Sequence, residues 1–235
     1  MPPRRLRVGL TQALDGMDSK IVNREINRAI RPALKAAGFT QFTQRVAWRY
    51  HHDSIDVLDF QSFNSYNAEI LGITTFSFCV NLGKYLLYVP PQWDVKVKDG
   101  VQLPRESECL FRGRLFPKVS AATSDKTIWS VDPSGKNLLW CIQDVLGQLP
   151  TALDWFARLN ERSEVLSILL EQDEDMQRLC GFGRNPSPIR SYSAGYVALS
   201  LGQKQLASDK LQEAVDSKCF TRLFSSVEGA INRAV

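Results

Sequence analysis

IDVLDFQSFNSYNAEILGITTFSFCVNLGKY, residues 55–85, decides the fold. It reads as two β-strands joined by a polar loop. Residues 55–63 are apolar on both faces at their start, the pattern of a strand inside a sheet rather than at its edge. Residues 64–72 are rich in Asn, Ser and Gly and predict the loop. Residues 73–82 alternate most clearly: Thr74, Phe76, Phe78, Val80 and Leu82 share one face, and Thr75, Ser77, Cys79 and Asn81 the other. One-sided burial and hairpin-length connections imply an antiparallel sheet.

Upstream, Asp18 and Ser19 are candidate N-caps of a helix whose apolar residues (Ile21, Val22, Ile26, Ala29, Ile30, Ala33, Leu34, Ala37) recur with the helical period. Pro32 should kink or divide it, Gly38 should cap it, and Phe39 should turn back into the core. A strand follows over 41–50. Phe42, Val46, Trp48 and Tyr50 are expected on the core face, with Arg45, Ala47 and Arg49 on the other. His51, His52 and Asp53 form the turn into residue 55.

Downstream, residues 90–124, punctuated by Pro90, Pro91, Pro104 and Pro117, predict one short strand near 109–115 or a long ordered loop. Residues 127–131 read as a last strand. From Lys136 the period changes to helical. One helix is expected around residues 138–146, one starting at Pro150 and one around 165–169. GFGRNPSP, residues 181–188, has the composition of a linker. Beyond it Gly195, Ala198, Gly202, Ala207, Leu211 and Ala214 allow two antiparallel helices to approach closely. Their spacing resembles a single tetratricopeptide-type hairpin.

The expected fold class is therefore α+β: an N-terminal helix on an antiparallel sheet of about four strands, followed by an all-helical C-terminal part. A basic tail (1–17) would precede an α+β domain (18–135) and a helical region (136–235) that ends in a hairpin (189–235).

The order helix, Gly-Phe, strand, turn, strand ending in Gln-Ser, loop, strand ending in Asn-Leu-Gly resembles the bacterial forty-three-oh-four family of domains of unknown function. The residues that carry it are Ile30, Pro32, Leu34, Gly38, Phe39, Arg49, Ile55, Val57, Phe60, Gln61, Ser62, Phe76, Asn81, Leu82 and Gly83, with Trp155 and Phe156 matching an aromatic pair. The resemblance spans roughly residues 20–160. It implies a bacterial or phage origin and an α+β fold, and brings no activity.

Charge and composition exclude several classes. With 29 basic against 25 acidic residues the net charge is +4, and only Arg4, Arg5 and Arg7 form anything like the basic stripe of a nucleic-acid binder. No apolar run reaches bilayer length, and the N-terminus lacks the apolar centre of a secretory signal. Cys79, Cys109, Cys141, Cys180 and Cys219 are odd in number and widely spaced, so buried free thiols in a reducing cytoplasm are expected, with no metal and no cofactor.

The best candidate site is the sheet's polar face: Arg45 and Arg49 from the first strand, Asp59 and Gln61 from the second, and Ser77 and Asn81 from the third. Paired amides and a guanidinium suit a polar ligand or peptide. The competing expectation is a solvated face on which the charges pair with one another. His51, His52 and Asp53 lack a placed nucleophile, and Asp56, Asp59 and Glu69 lack the lysine of a nuclease-type acidic set. The acidic run Glu171, Asp173, Glu174 and Asp175 reads as a solvated helix end.

These residues predict a binding module that recognises a protein partner or a small polar ligand, such as an accessory or immunity-type protein in a conflict or phage-defence system. The alternative is a hydrolase or nucleic-acid-processing enzyme with dispersed active-site residues.

Overall fold

In the computed structural model, residues 17–118, 126–171 and 185–234 are described. The basic tail up to residue 16, the first half of the 181–188 linker and all of the acidic run except Glu171 lie outside them.

Asp18 caps α1 (Ser19–Glu25), its Oδ1 accepting from the Ile21 amide at 2.9 Å. The helix widens into a π-helical turn (Ile26–Ile30) and resumes as α2 (Arg31–Ala36). Pro32 thus sits in the first turn of α2, where its missing N–H costs least. Val22, Ile26, Ile30 and Leu34 form one buried stripe.

The sheet has five antiparallel strands in the order β1 (Gln41–Phe42), β2 (Val46–Tyr50), β3 (Ser54–Ser62), β4 (Phe78–Leu86) and β7 (Phe111–Arg114). The β3–β4 register sets Asp56 opposite Lys84, Leu58 opposite Leu82 and Asp59 opposite Asn81. One face, with Leu58, Phe60, Phe78, Val80 and Leu82, packs on the first helix and on α4 (Leu138–Arg158). The other face carries Trp48, Ile55, Val57 and Tyr85 and packs on Val95, Leu103 and Cys109. Both faces are covered, which is why β3 and β4 are buried along nearly their whole length.

Several expectations are corrected. The strand over 41–50 is interrupted near Arg45, and its parity is inverted: Ala47 faces the helices, whereas Trp48 packs on the opposite face. There the Trp48 Nε1 donates to the Pro104 carbonyl at 2.8 Å and the Tyr50 hydroxyl to that of Gln102 at 2.9 Å. Aromatic residues predict burial, but a sheet buried on both sides leaves either face open to them.

The loop after β3 contains α3 (Ser65–Leu71). The Asn64 side chain caps it, and Gly72, in the left-handed region at φ 65°, ends it. Only Ala68 of this helix is buried, so no apolar period announces it. Thr74, Phe76 and Ser77 precede β4 rather than belong to it. The residue 127–131 strand is reduced to a bridge between Trp129 and Phe78, whose rings stack 5.9 Å apart. Pro150 lies inside α4 and starts no helix. Within 90–124, β7 occupies part of the expected 109–115 strand. A small hairpin, β5 (Val97–Lys98) and β6 (Val101–Gln102), turns on Asp99 and Gly100, both at positive φ.

The remaining helices among the described residues are α5 (Arg162–Leu170), α6 (Pro188–Ser200), α7 (Lys204–Asp216) and α8 (Val227–Ile231). In the α6–α7 hairpin, a Cβ at Gly195 would stand 2.6 Å from Leu211 Cγ, so only glycine permits this approach. These helices share a core with Leu86, Tyr88, Val89 and Phe111 from the end of the sheet. No helix among the described residues is long and apolar enough to cross a membrane.

Candidate functional site

The residues expected to form one site fall into three places. Asp59, Gln61 and Asn81 do come together, because the register makes Asp59 and Asn81 cross-strand partners. The Asn81 amide donates to Gln61 Oε1 at 2.8 Å and accepts from Arg114 Nε at 2.7 Å, and Arg114 Nη1 donates to Thr127 Oγ1 at 3.1 Å. Arg45 interacts electrostatically with Asp59, and burial lowers its guanidinium pKa. Arg114 was missed because residues 90–124 gave no strand parity. The alternation Arg112-Gly113-Arg114 was the available signal.

Burial raises the Asp59 carboxyl to about 6, helped by the charge of Glu106 and opposed by Asn81 and Arg45. A folded-state value above the unfolded one (about 3.9) means this group's stability is fully present below about pH 4 and lost as pH rises through about 6. Asp59→Asn is therefore expected to stabilise the protein by about 1–2 kcal/mol near neutral pH, with the gain vanishing below about pH 4. Urea denaturation of both proteins across that range measures it.

Ser77 belongs elsewhere. Fully buried before β4, its Oγ accepts from the Val131 amide at 3.0 Å and pairs with Thr74 Oγ1 at 2.8 Å. It latches residues 129–131 to the sheet.

Arg49 lies on the helix-covered face, and its partner is Asp56 rather than Asp59. The Asp56 carboxylate, 0% exposed, accepts from Arg49 Nε and Lys84 Nζ, both at 2.7 Å, and lies 2.8 Å from His51 Nε2. Lys84, also 0% exposed, donates its second hydrogen bond to Asn160 Oδ1 at 2.6 Å, in the α4–α5 connection. Arg49 also donates to the Ala37 carbonyl at the end of α2 and lies over the rings of Phe39 and Phe156. Burial by itself pushes the Asp56 carboxyl up. The hydrogen bond with His51 and the charges of Lys84 and Arg49 outweigh it and hold the group below the usual carboxylate range. The His51 turn is thus part of a buried charge cluster that ties the sheet to the helices. Asp56 and Asp59, on opposite faces, cannot act as a pair.

None of these residues lines the cleft of about 230 Å³ that lies between the sheet's second face and α6, lined by residues of β4, the 89–95 loop, the turn at Glu106–Glu108, and α6. Its walls include Tyr85, Trp93, Leu110 and Tyr192, with Glu108 and Arg112 as charged groups. Arg112 is forked onto Glu106, Nε to Oε1 at 2.7 Å. Burial pushes the Cys109 thiol well up, so this wall residue stays protonated and is a poor nucleophile.

A second groove of about 240 Å³, lined by Asp94, Cys219, Phe220 and Arg222, shares Gln92 and Trp93 with the first. Trp93 is 62% exposed between them. Two contacts fix the loop that carries it: the Tyr192 hydroxyl donates to the Pro90 carbonyl at 2.7 Å, and Arg233 Nη2 to that of Pro91 at 3.0 Å. Cys219 is exposed, contrary to the expectation of buried thiols.

No known protein family, curated protein or solved structure matches the chain. The resemblance over residues 20–160 gains no support from these comparisons.

Proposed function

We propose that the chain is a recognition module that holds an extended segment of a partner protein along the two grooves flanking Trp93. The observation that carries this reading is the exposed Trp93 ring shared by two cavities of about 230 and 240 Å³. A ligand that fills both must reach past the indole, which suits a run of side chains on one strand of peptide. Exposed aromatic residues in rigid surroundings are the usual anchors of such contacts. The hydrogen bonds to Pro90 and Pro91 hold the loop in place, so little ordering cost remains for binding.

Selection of a phage-displayed peptide library on the immobilised protein tests the reading. Trp93→Ala is expected to weaken the selected peptides roughly thirtyfold, the loss of an aromatic anchor. It should leave the circular dichroism unchanged. Equal binding by both proteins would remove the grooves as the site.

A further inference from the structure

Resting on that reading, we infer that the bound segment carries an acidic side chain that pairs with Arg222, with a bulky apolar side chain seated in the first cleft. Arg222 is exposed, and its guanidinium lies 4.7 Å from the centroid of the Trp93 ring. It makes no ion pair among the described residues: Asp94 lines the same groove without pairing with it. Arg112, by contrast, is occupied by Glu106. A guanidinium held over an aromatic face keeps its N–H edge free, and that fork matches a carboxylate. The first cleft has Tyr85, Leu110 and Tyr192 in its walls, and both of its charges are already paired, Arg112 with Glu106 and Glu108 with Arg105, so it favours an apolar group. The two grooves therefore differ in chemistry, and the segment carries the two side chains at a set spacing.

The peptides selected as above are the probe, with affinities measured by fluorescence polarisation. The expected result is enrichment of Asp or Glu at a set distance from an aromatic or large aliphatic residue. Arg222→Glu should weaken those peptides about tenfold or more, the scale of a charge-assisted pair turned repulsive. Replacing the peptide's acid by lysine should restore binding to Arg222→Glu, and Arg222→Lys should retain part of the wild-type affinity. Peptides that depend on Trp93 but are indifferent to Arg222→Glu would overturn the inference and leave the groove reading standing. Peptides indifferent to Trp93→Ala would overturn both.

Discussion

Replacing Asp56 by alanine is expected to cost about 3–5 kcal/mol, the penalty for removing one partner from a buried ion pair. The reason lies in what stays behind. Lys84 is fully buried, and burial already lowers its pKa, so without the carboxylate its charge keeps the Asn160 hydrogen bond and only the weaker influence of Asp53. Arg49 and His51 lose their shared acceptor as well. Urea denaturation followed by far-UV circular dichroism measures the loss.

The double replacement Asp56→Leu with Lys84→Met is expected to recover part of it, because it removes the buried lysine charge, while Arg49 still lacks its carboxylate and keeps the Ala37 carbonyl. A double variant as unstable as Asp56→Ala would show that the loss comes from Arg49, His51 and the shape of this point of the sheet rather than from the buried lysine charge. The pH dependence has a definite sign. A carboxyl held below its unfolded value contributes stability that is present above about pH 4 and lost as pH falls through the lowered folded value. Asp56→Ala should therefore flatten the acid limb of the stability curve. Asp59, raised rather than lowered, acts in the opposite direction.

Arg190→Met should be the next most damaging change, at about 2–4 kcal/mol for a charged donor that serves several buried acceptors. Arg190 is 2% exposed, and its Nη1 donates to the carbonyls of Ile168 at 3.1 Å, Leu169 at 3.2 Å and Glu171 at 2.5 Å. These are C-terminal carbonyls of α5, unpaired within the helix and favoured by a cation. Asn185 adds hydrogen bonds to Leu170 and Glu171 at 3.1 and 3.2 Å. Methionine keeps most of the apolar stem and removes the donors. Hydrogen exchange should reveal early opening of α5, with the strands β3 and β4 still protected below the global transition. Unchanged protection in α5 would show that Asn185 suffices as its cap.

The two changes differ in how far the sequence foretells them. Arg190 is one arginine among small and aromatic residues, and nothing local says that it points back at a helix ending about twenty residues earlier. Asp56 stands in an apolar run, which marks it as unusual, but its partners come from positions 49, 51 and 84 and meet only through the register. The candidate site shows the same division. Asp59, Gln61 and Asn81 were legible as one face because a strand alternates. Arg49 was assigned to the wrong face because the parity of residues 45–50 was anchored on Trp48 and Tyr50. The cleft was not legible at all: its walls come from residues 85–112 and from α6, far apart in sequence.

By itself the sequence determined the elements whose periods are strong: the first helix with its Asp18 cap and Gly38 end, the central strands and the α6–α7 hairpin. It thereby determined an α+β fold with an antiparallel sheet. These are local consequences of spacing, capping and glycine geometry. Tertiary structure alone decided that both faces of the sheet are covered, which freed Trp48 and Tyr50 to leave the helix side and drew Arg49 beneath the helices to Asp56. It also decided that the 89–95 loop meets α6 and residues 219–223 around Trp93. Long-range packing sets both, because burial rewards any apolar side chain on either covered face, and only the register and the helix positions choose between them.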